Sequence, residues 1–344
     1  MSARIAIHHR PGSFSDRWAA RCDELCVDHE MVDCYASDIM SRLAAADALL
    51  WHFAHTIPAD TLVAASVVRA VEAMGLAVFP NTATSWHFDD KVAQKYLLEA
   101  VRAPFIPTYV FFQRDKALDW VASAEFPKVF KLARGAGSAN VRLVRTRDEA
   151  VALVKRAFGA GFKPIPAYLS DARARYRQFR KRGGRILNKV KRLPGELRSA
   201  VVANRLIGRE RGYVYFQDFI PGNVFDIRVT VIGDRCFAFT RDVRPGDFRA
   251  SGSGGLCYDL ARIRPDAVRI AFDVARRIGA QSMAFDFLVA PDGRYLIGEV
   301  CYAYNAQAVH DCEGHWDSAM NWHAGHLWPQ DAILEDILGC LKSR

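Results

Sequence analysis

Short apolar segments alternate with helical patterns over the first 85 residues, and this order constrains the fold more than any other feature of the chain. The predicted strands are 4–8, 31–35, 48–53 and 77–80, and the predicted helices are 15–25 and 59–74. Strands that are each followed by a helix favour a parallel sheet with covered faces. Residues 1–85 are therefore predicted to form an N-terminal α/β lobe.

Paired strands dominate the remainder of the chain. Predicted strands lie at 105–112, 127–132, 141–144, 213–219, 225–232, 235–241, 283–290 and 295–301, with helices at 89–101, 118–124, 147–158 and 267–278. Gly233-Asp234 and Pro291-Asp292-Gly293 have the composition of hairpin turns. The predicted class is α/β with α+β lobes, divided at 86–162, at an insert of 163–212, and at 213–344.

Positive charge is concentrated in one segment of this formally +9 chain. Residues 163–211 contain 15 Lys and Arg against 3 acids, whereas the rest of the chain contains 32 basic and 35 acidic residues. One interpretation is an anion-binding surface for an acidic glycan, a nucleic acid or anionic lipid headgroups. The alternative is a solvated segment without a ligand. Aromatic residues are sparse in this segment, which disfavours base stacking on nucleic acid.

The cysteines and the apolar runs exclude several classes of protein. The eight cysteines contain no C-x-x-C pair, which is against a zinc ribbon or a dithiol redox motif. No apolar run reaches the ~20 residues of a membrane-spanning helix, and the N-terminus lacks a signal-peptide pattern. We expect free thiols and a cytoplasmic protein, with the inner face of the membrane as an alternative location through the basic segment.

A loop of small residues joins two predicted strands. It includes Gly135, Gly137 and Ser138, and small side chains let backbone amides approach phosphate oxygens. A plain hairpin loop is the alternative, because the sequence matches neither of the common nucleotide-binding glycine motifs.

Two acids lie on the strands of the last predicted hairpin. Asp286 and Glu299 can be cross-strand neighbours because the turn between them is short. Neighbouring carboxylates repel unless a cation lies between them, and Mg²⁺ bridging phosphates is the usual solution. The alternative, ordinary surface acids, is disfavoured for Asp286 because Phe285 and Phe287 predict a core on the opposite face.

A set of basic residues accompanies these acids, and several of them lie in predicted strands. They are Lys91, Lys131, Arg228, Arg241 and Arg249. Asp226 and Arg228 share one face of their strand, and a charged inward face favours a ligand over a core.

In this order, the features resemble the ATP-grasp superfamily, and especially its RimK-like carboxylate–amine ligases. The matching segments are 79–81, 90–91, 96–98, 126–131, 135–138, 217–220, 226–233 and 248–255, followed by the two hairpin acids. The resemblance implies an ATP-grasp fold, in which ATP is clamped between two lobes that follow the N-terminal lobe.

The resemblance also implies roles for individual residues. Lys91 and Lys131 would contact the ATP phosphates, together with the loop residues Gly135, Gly137 and Ser138. Gln217, Asp218, Phe219 and Ile220 would line the adenine slot. Asp286 and Glu299 would hold Mg²⁺ or Mn²⁺, and Arg228 and Arg241 would face the transferred phosphoryl group. Arg249, Ser253, Tyr302 and Asn305 are candidate substrate contacts.

The sequence departs from the family pattern at two points. The family usually has Asn two residues after its metal-binding Glu, and this position is Cys301, whose thiol is a poor Mg²⁺ ligand. The basic segment also lies where relatives are shorter.

The implied activity is ATP-dependent: a carboxylate is activated as an acyl-phosphate, which an amine then captures. The basic segment favours a polyanionic acceptor, such as a uronate-containing surface polysaccharide or an acidic peptide. The alternative is a non-catalytic nucleotide-binding or polyanion-docking protein of the same fold. The oligomeric state stays open, with a homodimer as one alternative.

A stretch rich in His and Trp lies near the C-terminus. It contains His310, Cys312, His315, His323 and His326. A transition-metal site, a cover over the substrate end of the cleft and structural packing all stay open.

Overall fold

Three sheets organise the chain. The structure, a computed structural model, describes residues 3–55, 57–135, 140–164, 208–243 and 255–343. An N-terminal sheet has the strand order β2-β1-β3-β4, a central sheet the order β5-β8-β6-β7, and a large sheet the order β13-β12-β9-β10-β14-β15 with β11 paired to β10. In the described part of the chain, no helix combines the length and apolar character needed to cross a membrane.

The N-terminal sheet is parallel, as the alternation of strands and helices predicted. Its strands are β1 (Arg4–His8), β2 (Asp28–Val32), β3 (Ala48–Leu50) and β4 (Ala77–Phe79). Helices α1 (Phe14–Glu24), α2 (Ile39–Arg42), α3 (Pro58–Ala73) and α4 (Thr82–Ser85) connect or follow them. β1 and β3 are buried on both faces because helices cover the sheet.

The edge strand of this sheet begins three residues before its predicted position. It runs from Asp28 to Val32 rather than over 31–35. Its charged residues face water or Arg4, whose guanidinium lies 3.0 Å from Glu30 and 4.0 Å from Asp28. An edge strand tolerates these charges, so its apolar content was a poor guide to its position.

The central sheet is antiparallel and is covered by two helices. It contains β5 (Thr108–Phe111), β6 (Lys128–Lys131), β7 (Val141–Val144) and β8 (Val214–Asp218). Helices α6 (Arg114–Ser123) and α7 (Arg147–Ala157) supply side chains to its core, whereas α5 (Lys91–Ala100) places Leu98 in the core of the other two sheets. β8 pairs with β5 and β6 and so belongs to the central sheet. The boundary predicted at residue 213 assigned it instead to the following lobe.

The large sheet is antiparallel and contains the two predicted hairpins. Its strands are β9 (Phe225–Ile232), β10 (Arg235–Asp242), β11 (Leu256–Cys257), β12 (Ser282–Val289), β13 (Tyr295–Cys301), β14 (Gly314–Asp317) and β15 (Trp322–Ala324). Helix α8 (Pro265–Ile278) packs against β9, β10 and β12. Two further helices, α9 (Ala306–His310) and α10 (Pro329–Lys342), follow the hairpins.

One hydrophobic core joins the N-terminal sheet to the large sheet, while the central sheet has a core of its own. The C-terminal helix α10 packs on α1 and β4 and so returns the chain to the N-terminal lobe. Trp18 of α1 is fully buried and donates its indole N–H to the Gln330 carbonyl at 3.0 Å. The central sheet is therefore the structurally separate part of the molecule, and the cleft described next lies along its border.

Candidate functional site

A cleft separates the central sheet from the large sheet and brings together residues far apart in sequence. Its central-sheet wall includes Val129, Lys131, Gln217 and Asp218, and the segment 219–223 continues that wall. Its large-sheet wall contains Asp226, Arg241, Asp286, Phe287, Leu288, Gly298 and Glu299. The lysine strand and the hairpin acids thus face one cleft, which is the arrangement that the sequence predicted.

Antiparallel pairing places five charged residues of the large sheet side by side. Asp286 lies opposite Arg228 on β9 and opposite Glu299 on β13, while Arg241 on β10 lies opposite Asp226. On the other face, the paired residues Phe285 and Val229 are fully buried. Strand alternation therefore separates a charged cleft face from a hydrophobic face.

Ion pairs connect these charges into a continuous network. Arg228 donates Nε and Nη2 to the two carboxylate oxygens of Asp286, at 2.7 and 2.8 Å. Arg241 makes the same bidentate contact with Asp226, and its Nη2 also lies 2.7 Å from Asp286 Oδ2. Asp286 is thus held between two guanidinium groups, and its contact with Arg228 has the bidentate geometry typical of strong arginine–carboxylate pairs.

The surroundings shift the pKa values of the two aspartates in opposite directions. Burial alone would raise the pKa of Asp286, but the nearby charges of Arg228 and Arg241 outweigh it and hold this pKa below its usual range. Burial dominates for Asp226 and raises the pKa of its carboxyl. Asp286 is therefore a firmly ionised carboxylate at neutral pH.

Two lysines reach the same region with different environments. Lys91 is the first residue of α5 and is 5% exposed, and its Nζ donates to the Gly135 carbonyl at 2.8 Å and lies 3.4 Å from Glu299 Oε1. Burial opposes its charge, but Glu299 and Asp89 raise its pKa. Lys131 ends β6, and desolvation lowers its pKa to about 8. Among the described residues, Lys131 has no hydrogen-bond or ion-pair partner and is available to an anion.

The small-residue loop begins on a backbone held by side chains. Gly135 donates its N–H to Asp89 Oδ1 at 2.9 Å, and its φ of +109° is one that favours glycine. A Cβ at this position would collide with the Asn140 amide. Gly137 and Ser138, predicted for the same loop, lie outside the described residues.

The predicted adenine segment leaves the central sheet at the edge of the cleft. Gln217 is 4% exposed and donates to Thr108 Oγ1 at 3.1 Å, while Asp218 forms a 2.6 Å ion pair with Lys128. Phe219 and Ile220 follow the last residue of β8 and line the cleft. Phe219 and Ile220 therefore bring chain beyond the end of β8 to the cleft.

The carboxylates of Asp286 and Glu299 could hold Mg²⁺, but other side chains already contact some of their oxygens. In the described structure, Glu299 Oε2 accepts no hydrogen bond, and Oε1 has only Lys91 nearby. Both oxygens of Asp286 already accept from arginines, but a carboxylate oxygen can accept more than one partner. Mg²⁺ commonly uses one or two carboxylates and completes its shell with phosphate oxygens and water, so these two residues fit it.

Cys301 takes no part in that donor set. Burial raises the pKa of its thiol to about 12, and its Sγ donates to the Ala303 carbonyl at 3.3 Å. A protonated thiol bound to a carbonyl is not a ligand for a hard cation. Within the described ranges, no cluster of three or more His, Cys, Asp or Glu side chains can hold a metal.

Two predicted substrate contacts have other roles in the structure. Tyr302 is 1% exposed, and its hydroxyl donates to the Phe53 carbonyl at 2.5 Å, so it packs between the large sheet and the N-terminal lobe. Asn305 caps α9 by accepting from Gln307 N at 3.0 Å and is exposed. The other two, Arg249 and Ser253, lie outside the described residues, as do 165–207 of the basic segment.

The histidines near the C-terminus form pairs. His315 stacks on His323 at 5.2 Å across the β14–β15 hairpin, and His310 stacks on Trp328 at 4.0 Å. His323 Nε2 also lies 2.9 Å from Asp317 Oδ2. These contacts favour the packing interpretation of this stretch.

The eight cysteines, for their part, are all free.

The site contains residues that the sequence did not single out as binding or catalytic. Asp226 was visible only as a charge sharing a face with Arg228, and its pairing with Arg241 needed the β9–β10 register. Glu210, one of the three acids in the basic segment, accepts hydrogen bonds from the loop backbone. No local pattern in the sequence distinguished it.

Comparison with known proteins agrees with this geometry. Residues 197–311 match the family model of the RimK-like ATP-grasp domain. None of the curated proteins compared with the chain is a significant match. The sequence match covers the large-sheet side of the cleft, including Arg228, Arg241, Asp286 and Glu299.

Solved structures extend the likeness to nearly the whole chain. A RimK domain ATP-grasp protein from Sphaerobacter thermophilus has a TM-score of 0.56 at 16% identity, covering 98% of this chain and 100% of its own. The ATP-grasp ligase PsnB, solved with minimal precursor, Mg and ADP, has a TM-score of 0.54 at 12% identity, covering 98% of both chains. The biotin carboxylase domain of Hydrogenobacter thermophilus 2-oxoglutarate carboxylase has a TM-score of 0.59 at 13% identity, covering 98% of this chain and 70% of its own. The resemblance indicated by the sequence is confirmed: the chain has the ATP-grasp fold.

Proposed function

From this ATP-grasp fold we propose that the protein is an ATP-dependent carboxylate–amine ligase. The observation that supports the proposal is the shared cleft, in which an unpaired Lys131 faces Glu299 and the Asp286–arginine network. A lysine on one wall and arginine-braced carboxylates on the other suit phosphoryl transfer, because its catalysis is mainly positioning and charge neutralisation.

In the proposed reaction, a substrate carboxylate oxygen attacks the γ-phosphorus of ATP, and the bond to the ADP oxygen breaks. An amine then attacks the acyl-phosphate carbon, phosphate leaves with the bonding electrons, and the amine loses a proton. Lys91 and Lys131 would bind the ATP phosphates, and Gln217 to Ile220 would line the adenine slot. Arg228 and Arg241 would face the phosphoryl group and restrain the acids beside it.

Asp286 and Glu299 are proposed to hold the Mg²⁺, or Mn²⁺, of the nucleotide. Once bound, the cation would neutralise phosphate charge, which is the chemistry that these acids alone cannot supply. Glu299 is the more available ligand because one of its oxygens has no partner in the described structure. Asp286, already ionised and fixed by Arg228, would supply a positioned second carboxylate.

The test is ATP turnover, measured as phosphate release over pools of carboxylates and amines. We expect Mg²⁺-dependent turnover, and Glu299→Gln should lower it by about a hundredfold because it removes a metal-binding charge. Glu335→Gln is a matched control, since the Glu299 and Glu335 side chains are both 39% exposed and both lie beside a basic side chain. Glu335 lies on α10, outside the cleft, and its variant should keep full turnover.

One result would contradict the ligase proposal, and another would contradict the role of Glu299. Binding of ATP without turnover in any pool would favour the non-catalytic nucleotide-binding alternative, for which Cys301 and the arginine-bound Asp286 are the supporting observations. Equal turnover in Glu299→Gln and wild type would remove Glu299 from the site.

For the acceptor, we propose a polyanion, either an acidic peptide or a uronate-containing polysaccharide. The support is the +12 balance of residues 163–211 and, for a peptide, the likeness to PsnB, which has been solved with a precursor peptide. Uronate glycans and acidic peptides should each be tested for stimulation of turnover. Neutralising Arg173, Arg175, Arg177 and Arg180 together should weaken that stimulation. Stimulation by free amino acids alone would contradict a polyanionic acceptor.

A further inference from the structure

The backbone at the start of the small-residue loop is bound by one carboxylate from a distant part of the chain. Glu210 accepts the Ala133 N–H at 2.9 Å and the Arg134 N–H at 3.2 Å. The Tyr213 hydroxyl donates to the same carboxylate, and its oxygen lies 2.7 Å from the Ala133 nitrogen. Three donors therefore converge on Glu210, just after the end of β6.

Glu210 is itself held in place by backbone contacts. Its N–H and C=O exchange hydrogen bonds with Phe162, both at 2.9 Å, in an isolated antiparallel bridge. Burial raises the pKa of its carboxyl, although its hydrogen bonds to Tyr213 and to the loop amides oppose that rise. A half-buried acid with three donors and a fixed backbone is a rigid anchor for whatever it binds.

Residues 133–135 are also bound from their other side, by groups near the start of α5. Lys91 N–H donates to the Ala133 carbonyl at 3.0 Å, while Gly135 binds Asp89 and the Lys91 side chain. Ala133, Arg134 and Gly135 are thus clamped from two directions. Lys131 lies two residues before this clamp, and the small-residue loop continues directly after it.

We propose that Glu210 is a positioning residue for nucleotide binding: it fixes the base of the small-residue loop, residues 133–135, relative to Lys131 and Lys91. The inference rests on the proposed function, because it assumes that the loop contacts nucleotide phosphates. Glu210 lines no part of the cleft and acts only through the loop backbone. Its loss should let Ala133 and Arg134 move relative to the two lysines and so raise the entropic cost of fixing this backbone on ATP binding.

Glu210→Gln tests this with little change in shape. The substitution replaces one acceptor oxygen by an NH₂ donor that faces the donors of the loop. Glu72→Gln is the matched control, because Glu72 also accepts a backbone N–H and a hydroxyl, both from Thr82, in the N-terminal lobe. Tyr213→Phe is a second variant, which removes one of the three donors while leaving the carboxylate.

Two measurements separate positioning from simple stabilisation. Hydrogen exchange of the nucleotide-free protein should become faster at the amides of Ala133 and Arg134 in Glu210→Gln. Calorimetric titration with a non-hydrolysable ATP analogue and Mg²⁺ should show about tenfold weaker affinity, as expected for loss of a hydrogen bond to a charged group. Tyr213→Phe should give smaller changes of the same sign, and Glu72→Gln should leave both measurements at wild-type values.

The outcomes decide between the explanations. Faster exchange with unchanged analogue affinity would overturn the positioning role and leave Glu210 as a structural contact. Unchanged exchange at Ala133 and Arg134 would overturn the anchor itself, whatever the affinity. A wild-type protein that binds no nucleotide would refute the proposed function and with it the positioning role, whereas the exchange data would still report whether Glu210 holds this backbone.

Discussion

At the residue scale, the cleft is defined by charges that lack partners as much as by charges that have them. Asp286 has two arginines, Asp226 has one, and Lys91 has a carbonyl and a carboxylate. Lys131 and one oxygen of Glu299 have no partner in the described part of the chain. Uncompensated charge is costly where it is desolvated, as at Lys131, so a bound anion would stabilise this lysine. The free oxygen of Glu299 is open to a cation, since its side chain is 39% exposed.

The lowered pKa of Lys131 predicts a pH dependence of nucleotide binding. With a pKa of about 8 in the nucleotide-free protein, Lys131 is protonated below pH 8 and neutral above it. Affinity for a non-hydrolysable ATP analogue should therefore fall by about tenfold between pH 7 and pH 9.5, because each additional pH unit removes charge from this lysine. Calorimetric titration across this range measures the effect.

Lys131→Arg provides the control for that prediction, since an arginine stays charged throughout the range. Its analogue affinity should be nearly flat with pH, while Lys91, whose pKa is raised, keeps its charge in both proteins. The same fall in affinity in wild type and in Lys131→Arg would show that another group is titrating.

At the scale of elements, helix α5 positions the lysine through its N-terminal cap. Asp90 accepts from Val92 N and Ala93 N at 2.9 and 3.0 Å, and Lys91 is the first residue of the helix. The capped first turn therefore fixes the backbone position from which the Lys91 side chain extends. The β12–β13 hairpin acts similarly for the acids, because its register makes Asp286 and Glu299 cross-strand neighbours beside an irregularity at Phe287.

Asp90→Ala should cost about 1 kcal/mol of unfolding free energy, the usual cost of losing an N-cap. It should also weaken binding of the ATP analogue several-fold, because the first turn that carries Lys91 is no longer fixed. Urea unfolding and calorimetric titration measure the two effects.

The N-cap of α7 supplies the comparison, as Thr146 accepts from Glu149 N at 3.3 Å far from the cleft. Thr146→Ala should lose a similar unfolding free energy and keep the affinity of wild type. If both variants bound the analogue equally well, the cap of α5 would have no part in the site.

At the scale of the whole molecule, the described residues form two large hydrophobic cores and one small cluster, and these do not follow consecutive segments of the chain. α10, at the C-terminal end, packs on α1, and Arg17 of α1 binds Asp331 of α10 at 2.7 and 2.6 Å. The N-terminal sheet and the large sheet therefore share one core, and the central sheet stands apart with its own. The cleft lies where the two cores meet, so relative movement of the central sheet would change its width.

The two cores should open separately in hydrogen exchange. Leu334→Ala removes a fully buried side chain of α10, and Leu153→Ala removes one of α7 that is 5% exposed. Each should cost about 2–5 kcal/mol of unfolding free energy. Leu334→Ala should speed amide exchange in both the N-terminal sheet and the large sheet, whereas Leu153→Ala should speed it only in the central sheet. A uniform increase in both variants would show a single cooperative unit.

The sequence by itself determined the local order of the fold and which charged residues lie on its strands. Alternating patterns predicted the parallel N-terminal sheet, and a strand such as β13 was predicted with its observed ends. The short turn after β12 predicted that Asp286 and Glu299 would be neighbours, because a tight turn fixes the register of a hairpin. These features depend on residues close together in the chain.

Only the tertiary structure decided which residues separated by long stretches of chain meet in space. Glu210 binds Ala133 across 77 positions, and Tyr302 binds Phe53 across 249. Their roles follow from how sheets and helices pack. The residues next to a tyrosine in the sequence are the same whether its hydroxyl binds a substrate or a distant carbonyl. For this reason the sequence predicted Tyr302 as a substrate contact and β8 as part of the large-sheet lobe, whereas the structure places Tyr302 in the core and β8 in the central sheet.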